Sequence, residues 1–516
     1  MGMIVETSKG KLEGTEKGDV CVFRGIPLAR PPVGELRFRA PRPLDSWSGV
    51  RDTTSVGPRA MQVPNRAFEA LFGRPPKQPP IDEDCLNLNV WTPGLEGGPR
   101  PVMVWIHGGG FTIGAGSEPL YNGRLVASRG DVVVVTINYR LGAFGFLYMP
   151  DFADREGKPC TNFGMLDQVA ALEWVRDEIA AFGGDPGNVT LFGESAGAMS
   201  IGALMASPRA SGLFRRAILQ SGAAHNALGI VQAQANTAAF AEALGLEELT
   251  AARLRTIPAE DILRAQSSME ASDRESTREG QAMGLRFQPV IDGYFLREKP
   301  IDAIRAGLSK DVSLLIGTTA EEWKLFAAMW PALAKISEDE AARRIGWLIS
   351  SDGDAGRGRA MLQAYRDARK ARGETTERFE LFVAVQTDYM FRIPADRLAE
   401  AQATHLPQVF AYRFDWRSPI ADGALGACHA LDLPFVFGTH RLVPAFVGEG
   451  PDADALATTV SDAWVAFART GNPSTDALHW PAFDAESRNT MILDRECRVE
   501  ERPREAERRC WDGIIA

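Results

Sequence analysis

A serine between glycines, in the segment Gly193–Gly197, is the clearest candidate for covalent chemistry in the sequence. Gly-x-Ser-x-Gly occurs by chance in many proteins, but here it follows the strand-like segment Asn188–Phe192 and precedes the helical pattern Ala198–Leu204. A sharp turn from strand to helix presents a serine hydroxyl for attack, and flanking glycines relieve the crowding in that turn. The pattern therefore predicts Ser195 as a nucleophile rather than a serine in an ordinary surface turn.

A glycine-rich turn, His107–Phe111, follows the predicted strand Pro101–Ile106 directly. Acyl transfer builds negative charge on a carbonyl oxygen, and preorganised backbone N–H groups stabilise that charge. Three consecutive glycines allow the backbone to approach a substrate without interference from Cβ atoms. The turn lacks the Lys-Ser/Thr that completes a phosphate-binding loop. It is therefore predicted to form an oxyanion hole.

A nucleophilic serine needs a general base, normally histidine, and an acid that orients the base. The chain contains six histidines: His107, His225, His405, His429, His440 and His479. The first belongs to the glycine-rich turn, and the two that stand shortly before prolines fit surface or packing positions. His429 comes after every candidate acid strand, which matches the order serine, acid, histidine of α/β-hydrolases. This order favours His429 but does not exclude His225 or His440.

The acid is expected just beyond a strand that lies between Ser195 and the histidine. The segment Leu314–Glu322 fits, because an apolar run and a glycine turn are followed by the two carboxylates Glu321 and Glu322. Asp292 is a rival, although Asp-Gly more often marks a simple turn. The residues alone leave the choice between Glu321 and Glu322 open.

The elements that must position these residues alternate between short β-branched runs and longer helical patterns, which predicts an α/β fold with a large, mostly parallel sheet covered by helices. A helix is predicted over Asn162–Ala181 and ends at the Gly and Pro signals of Phe182–Pro186. Two mostly helical insertions, at about 223–286 and 323–404, are expected to form a cap beside the site. The predicted strands are Pro101–Ile106, Val132–Ile137, Asn188–Phe192, Arg216–Gln220, Val312–Ile316, Gln408–Phe414 and Thr490–Leu493.

The composition is that of a globular protein, with 45% hydrophobic and 24% charged residues among 516. No linker or repeat divides the chain, so a single domain over 1–516 is expected. The net charge of −10 is spread along the sequence, which argues against a nucleic-acid partner. No apolar run is long enough for a membrane span, and Met1–Thr7 lacks the pattern of a secretory signal. Six sparse cysteines without a Cys-x-x-Cys pair indicate free thiols and a cytoplasmic protein.

Over nearly its whole length the chain resembles the type-B carboxylesterases, the family of para-nitrobenzyl esterases, mammalian carboxylesterases and cholinesterases. The resemblance implies the α/β-hydrolase fold and a serine esterase that cleaves small carboxylic esters through an acyl-enzyme, without a metal or an organic cofactor. Besides the glycine-rich turn, the segments that carry it are Phe23–Pro27, Glu83–Trp91, Asn138–Gly142, Asn162–Gly164, Phe182–Gly197, Gln220–Gly222 and Thr470–Pro473.

The resemblance also implies a catalytic triad of Ser195 as nucleophile, His429 as base and Glu322 as acid. It selects Glu322 over Glu321, because the acidic motif of the family places its triad glutamate as the second carboxylate. Trp323 stands next to this glutamate where the family usually has glycine, so an acid loop of different shape is expected.

Further roles follow from the same resemblance. The backbone N–H groups of Gly109, Gly110 and Ala196 are implied to form the oxyanion hole. Glu194 and Ser221 are implied to support the triad network without taking part in the chemistry.

One cysteine departs from the pattern of the secreted family members. Cys85 matches a cysteine that closes a loop in those proteins, but no cysteine lies between Val22 and Asp84 to pair with it. Residues Met61–Asp84 also contain no tryptophan, whereas choline-selective members carry a cation-binding tryptophan in this loop. We therefore expect neither that disulfide nor a choline ester as the natural substrate.

Two alternatives to an esterase are open at this stage. The same triad would serve an amidase, a carbamate hydrolase or a lipase, and the same fold carries non-catalytic, neuroligin-like scaffolds. The presence of all three triad residue types favours an enzyme over a scaffold. The sequence determines neither the natural substrate nor the oligomeric state.

Overall fold

A computed structural model describes residues 3–64, 78–154, 157–278, 285–350 and 352–515. The predicted insertion at 223–286 and the loop Met61–Asp84 therefore lie partly outside the described residues. Within the described residues, every helix is too short or too polar to cross a lipid bilayer.

A single mixed sheet of thirteen strands runs through the described part of the chain, in the spatial order β1-β2-β3-β5-β7-β6-β8-β9-β10-β11-β12-β13, with β4 beside β2. Neighbouring strands from β7 to β12 are all parallel. The strands are β1 (Met3–Glu6), β2 (Lys11–Lys17), β3 (Val20–Pro27), β4 (Val50–Asp52), β5 (Asn87–Thr92), β6 (Arg100–Ile106), β7 (Val133–Ile137), β8 (Gly184–Glu194), β9 (Arg216–Gln220), β10 (Ser313–Thr319), β11 (Val409–Phe414), β12 (Thr490–Leu493) and β13 (Arg498–Glu500).

Helices cover both faces of the sheet and, within the described residues, occupy much of the two regions predicted to be mostly helical. A π-helical turn, Asp388–Arg392, joins two of them, α12 and α13. In the described residues, the α-helices with regular backbone are α1 (Arg124–Gly130), α2 (Gly142–Phe146), α3 (Phe163–Glu178), α4 (Ala196–Met205), α5 (Ile230–Ala243), α6 (Ala251–Thr256), α7 (Ala259–Arg278), α8 (Pro300–Arg305), α9 (Trp323–Ala328), α10 (Glu338–Ile349), α11 (Ala355–Ala371), α12 (Arg378–Thr387), α13 (Ile393–Ala403), α14 (Leu433–Val436), α15 (Pro444–Val447), α16 (Pro451–Thr470) and α17 (Glu505–Arg509).

The central strands are apolar on both faces because each face packs against its own helical layer. In β6, Val104 and Ile106 belong to one buried cluster, whereas Met103 and Trp105 belong to the cluster on the opposite face. Successive side chains of a strand point to opposite faces, so a strand buried on both sides is a nearly continuous apolar run. This explains why the predicted strands are confirmed, with ends that differ by at most four residues.

The carboxyl ends of the parallel strands form one edge of the sheet, and the candidate residues follow those ends. The glycine-rich turn begins after β6, Ser195 follows β8, and the Glu321–Glu322 pair follows β10. His429 lies in the loop after β11, the neighbour of β10. The topology alone therefore brings separate segments of the chain to one edge of the sheet. Ligands of open α/β sheets bind at this edge.

A buried ion pair holds this edge to the helical layer. Arg140, just beyond β7, donates from Nε and Nη2 to the carboxylate of Asp167 on α3 at 2.7 Å, and its backbone N–H donates to the same carboxylate at 3.1 Å. Both side chains are buried. Removing one member of such a pair leaves a buried charge without compensation.

We predict that Asp167→Asn lowers the free energy of unfolding by about 3–5 kcal/mol, as is typical for a broken buried pair. The exposed pair Arg176–Asp177 offers the control, and Asp177→Asn should cost about 0–1 kcal/mol. Urea unfolding followed by fluorescence measures both. Equal losses in the two variants would contradict the role given to the buried pair.

Candidate active site

Ser195 occupies a strained turn between β8 and α4. Its backbone has φ 55° and ψ −125°, a conformation that non-glycine residues rarely adopt. A Cβ atom on Gly197 would overlap the carbonyl oxygen of Ile106, and one on Gly193 would lie 2.8 Å from the same oxygen. The two glycines are therefore required because the turn packs directly against the end of β6. The predicted turn from strand to helix is confirmed.

The glycine-rich turn lies against this serine. A Cβ atom on Gly108 would approach the Cβ atom of Ser195 to 3.1 Å and the carbonyl oxygen of Glu194 to 2.7 Å. Gly109 and Gly110 have φ values of 106° and 61°, in the region that favours glycine. The absence of side chains thus permits both the conformation of the turn and its close approach to Ser195.

Three backbone donors near Ser195 have no protein partner among the described residues. Within the described part of the chain, the N–H groups of Gly109, Gly110 and Ala196 donate to no protein acceptor. Ala196 is the first residue of α4, where N–H groups lack acceptors within the helix and the helix dipole favours negative charge. Unpaired donors on two adjoining turns can together bind an oxyanion.

His429 and Glu322 form a buried hydrogen bond. Nδ1 of His429 donates to Oε2 of Glu322 at 2.6 Å, and the backbone N–H of Thr319 donates to Oε1 of the same carboxylate at 2.8 Å. Because an ionised carboxylate only accepts hydrogen bonds, this contact places a proton on Nδ1 and leaves Nε2 as the site of proton exchange.

Glu321 has different partners. Its carboxylate pairs with Lys324 at 2.8 Å and with Arg417 at 2.7 Å, and accepts a hydrogen bond from the backbone N–H of Ala427 at 2.9 Å. Burial opposes its ionisation, but these cations and the N–H group outweigh burial and lower the pKa of Glu321. Of the two neighbouring carboxylates, only Glu322 contacts His429.

A second carboxylate, that of Glu194, faces the other nitrogen of His429. Nε2 of His429 lies 3.0 Å from Oε1 of Glu194, although this oxygen makes no aligned hydrogen bond within the described residues. Burial disfavours the charged imidazolium, but Glu194 and Glu322 outweigh burial and raise the pKa of His429 to about 10. The described residues contain no hydrogen bond between Ser195 and His429. Such contacts are often long or poorly aligned without substrate.

Two other histidines have partners away from the serine. The ring of His107 is buried and stacks on Tyr139 with centroids 4.5 Å apart, and burial lowers the pKa of His107 to about 4. Nε2 of His440 pairs with Asp454 at 2.8 Å. These contacts indicate structural roles for both residues.

Asp292, the rival acid, belongs to a turn. Its Oδ1 accepts hydrogen bonds from the backbone N–H groups of Tyr294, Phe295 and Leu296. Ser221, predicted to support the triad, is fully buried, and its hydroxyl has no hydrogen-bond partner within the described residues. Its backbone N–H donates to the carbonyl oxygen of Gly317 at 2.8 Å. The supporting role of Ser221 therefore stays a prediction.

Sequence reasoning missed two rings that contact His429. The ring centroids of Phe326 and Phe391 lie 5.1 and 4.8 Å from the imidazole. Phe326 could have been found, because it follows Glu322 by one helical turn. Nothing in the sequence around Phe391 distinguishes it from an ordinary core residue.

The sequence departs from the family pattern at Trp323 and at Cys85, and the structure shows the surroundings of both. Trp323 is buried at the start of α9 among Trp330 and Phe382. All six cysteines lie in the described residues and are free thiols. The prediction that Cys85 forms no disulfide is confirmed, whereas residues 65–77 of the loop before it lie outside the described residues.

Comparisons with known proteins agree over nearly the whole chain. The model of the carboxylesterase family matches residues 2–511. A para-nitrobenzyl esterase of Bacillus subtilis (strain 168) is 42% identical over 98% of this chain and 97% of its own. A phenmedipham hydrolase of Pseudarthrobacter oxydans is 39% identical over 96% of this chain and 95% of its own.

Solved structures show the same similarity. A PNB esterase superposes with a TM-score of 0.82 at 40% identity, covering 99% of this chain and 100% of the other. The carboxylesterase EST55 of Geobacillus stearothermophilus, at pH 6.2, gives a TM-score of 0.85 at 40% identity, covering 98% and 99%.

We predict that Glu194→Gln lowers the pKa of His429 by about 1–3 units, the usual effect of removing an opposite charge at this distance. NMR titration of the imidazole measures the shift. Asp454→Asn is the matched control, because it removes a carboxylate from His440 and should leave His429 unchanged. An equal pKa for His429 in wild type and in Glu194→Gln would contradict the electrostatic account.

Proposed function

The chain belongs to the carboxylesterase family, and we propose that this serine esterase hydrolyses carboxylic esters with Ser195 as nucleophile, His429 as base and Glu322 as acid. The observation that carries the proposal is the placement of Ser195 beside three N–H groups that have no acceptor in the described part of the chain, at the sheet edge that also holds the His429–Glu322 pair. This arrangement supplies a nucleophile, a site for the developing charge and an oriented imidazole.

The reaction begins when Oγ of Ser195 attacks the ester carbonyl carbon and its proton passes to Nε2 of His429. The carbonyl oxygen becomes an oxyanion and accepts hydrogen bonds from Gly109, Gly110 and Ala196. His429 then gives its proton to the leaving alcohol, and an acyl-enzyme remains. Water then attacks the acyl carbonyl carbon while Nε2 of His429 takes its proton, and His429 returns that proton to Oγ of Ser195 as the carboxylic acid leaves. These residues handle every proton and charge, so the proposed reaction uses no metal or organic cofactor.

Glu194 has two opposing effects in this mechanism. Its carboxylate stabilises the imidazolium that forms in the transition state, which speeds the chemical step. The same contact also favours the imidazolium before substrate reacts, and only neutral His429 can act as a base. The value of kcat/KM should therefore rise with pH through the pKa of His429 in the free enzyme.

The setting and the substrate class are also part of the proposal. Free thiols at all six cysteines support a reducing, cytoplasmic compartment, and the dispersed negative charge supports a small-molecule substrate rather than nucleic acid. The 42% identity with a para-nitrobenzyl esterase favours an ester. The 39% identity with a phenmedipham hydrolase makes phenmedipham the compound to test as a second substrate.

We predict that Ser195→Ala lowers kcat for para-nitrophenyl esters by about 10⁴-fold or more, as loss of a triad nucleophile does. A fluorophosphonate probe should label wild-type protein at one site per chain and Ser195→Ala not at all. Ser211→Ala changes an exposed serine and should match wild type in both assays. Near-wild-type turnover by Ser195→Ala would exclude the proposed nucleophile.

The same assays compare substrate classes. We expect kcat/KM to be higher for para-nitrophenyl esters than for matched anilides and for phenmedipham. If kcat/KM is clearly higher for the anilides or for phenmedipham, ester hydrolysis is not the main activity. An optimum at long acyl chains with interfacial activation would indicate a lipase.

The two neighbouring glutamates give a matched test of the acid. Glu322→Gln should lower kcat by about 10⁴-fold, because an amide that donates a hydrogen bond to Nδ1 stabilises the wrong tautomer of His429. Glu321→Gln should keep most of its turnover, since Glu321 contacts Lys324 and Arg417 instead of the imidazole. A larger loss in Glu321→Gln than in Glu322→Gln would reverse the assignment.

A further inference from the structure

The π-helical turn Asp388–Arg392, together with Thr387 before it, contacts both the loop of the proposed acid and the proposed base. π-Helical turns are rare, and they often occur at functional sites. Here the turn interrupts the helical run between α12 and α13. Its side chains, and that of Thr387, reach three different neighbours.

One neighbour is the acid loop. Oγ1 of Thr387 accepts a hydrogen bond from the backbone N–H of Trp323 at 3.1 Å, and Sδ of Met390 accepts one from the indole N–H of Trp323 at 3.2 Å. Trp323 follows Glu322 directly in the chain. These two bonds therefore restrain the backbone that carries the Glu322 carboxylate.

A second neighbour is the imidazole. The ring of Phe391 lies 4.8 Å from His429 and is nearly parallel to the ring of Phe326, at 6.0 Å and 13°. Phe326 itself contacts His429 at 5.1 Å. The imidazole thus contacts two aromatic rings, one from the turn and one from α9.

The third neighbour is a polar cluster that anchors the turn. The guanidinium of Arg392 pairs bidentately with Asp388, with Nε at 2.6 Å from Oδ1. The hydroxyl of Tyr365 on α11 also donates to Asp388, and the indole N–H of Trp511 donates to that hydroxyl at 2.6 Å. Because these groups are buried, the cluster resists any displacement that would leave a polar atom unpaired.

We propose that the segment Thr387–Arg392 is a positioning element that aligns Glu322 and His429, the former through Trp323 and the latter through Phe391. The proposal rests on the proposed function, because it concerns the acid and the base assigned there. Phe391 also places an aromatic ring against the imidazole when the imidazole becomes charged, and aromatic faces attract cations.

Other charged groups near the imidazole must stay constant for a test of this contact. Glu194 and Glu322 face its two nitrogens. Asp432, three residues further along, accepts hydrogen bonds from neutral side chains, and Lys324 on α9 pairs with carboxylates. The Phe391 variant changes none of these groups, so a shift in the pH profile reports the contact of the ring.

The decisive variant on the base side is Phe391→Leu, assayed per active site after titration with a fluorophosphonate. We expect kcat to fall about 2- to 30-fold with little change in KM, because the contact is strongest with the charged imidazole. The acid limb of kcat/KM should move down by about 0.5 pH unit. Phe410→Leu is the control, since Phe410 is a buried phenylalanine that packs on Phe467 in the cluster on the opposite face of the sheet.

The control should lose stability but keep kcat and the acid limb. A Phe391→Leu enzyme whose kcat per labelled site and acid limb match Phe410→Leu would overturn the positioning role and leave only packing. A rise in KM with unchanged kcat would also overturn it, in favour of a wall of the substrate pocket.

The acid side is tested by a double-mutant cycle of Trp323→Phe and Met390→Leu. Both variants remove the indole–sulfur hydrogen bond, so we expect their effects on kcat to be non-additive. Trp480→Phe removes a buried indole donor to the carbonyl oxygen of Ala411 and serves as control. It should combine additively with Met390→Leu. Additive effects of Trp323→Phe and Met390→Leu would overturn the coupling through Trp323.

Failure of the proposed function would look different from failure of this proposal. If the wild-type enzyme is not labelled at Ser195, the proposed triad itself is wrong. If wild type and variants are labelled in full but the variants behave as the controls do, the triad stands and the positioning role is excluded.

Discussion

The hydrogen bond between Glu322 and His429 is the contact on which the rest of the site depends, because it joins residues 107 positions apart inside the protein. A fully buried carboxylate loses its hydration, and that cost is offset only when its oxygens find donors. Thr319 supplies one donor from the last residue of β10, and His429 supplies the other from the loop after β11. The two strands are parallel neighbours, with Thr319 opposite Phe414. Both loops therefore begin at the same level of the sheet edge. The Glu322–His429 pair can form there because its two loops start side by side.

The surroundings of the imidazole balance two demands. A base must be neutral before reaction, whereas the transition state contains an imidazolium. Glu194 and Glu322 together raise the pKa of His429. The raised pKa stabilises the imidazolium of the transition state but reduces the fraction of neutral imidazole before reaction. Moving Nε2 from Glu194 toward Ser195 would weaken the contact that raises the pKa. A substrate that displaced Nε2 in this direction would therefore also lower the pKa of His429.

Much of the fold and part of the site could be predicted because they depend on local pattern. The buried strands β6 to β12 are apolar runs, and the glycines at 193 and 197 mark a turn that no larger residue fits. The strands β1 to β5 and β13 were not predicted; of these, β2 is partly exposed, and no residue of β4 or β13 is buried. Glu321 and Glu322 could not be separated by spacing, because adjacent side chains at the start of a helix point to different neighbours. That choice required the family resemblance, and the contacts of Lys324 and Arg417 supply its physical reason.

Trp323 shows why the remaining contacts of the site could not be predicted from the sequence. Its position suggested an acid loop of different shape, but its partners Thr387 and Met390 lie more than sixty residues away in the sequence. A buried indole usually brings its N–H group to an acceptor, and the π-helical turn offers Trp323 one in Met390 while directing Phe391 toward His429. A bulky residue beside the proposed acid is therefore compatible with the proposed triad, because a second helical layer packs around it. The helices after Trp323 are thus more than a cover over the sheet, since they share in holding the proposed acid and base at a fixed separation.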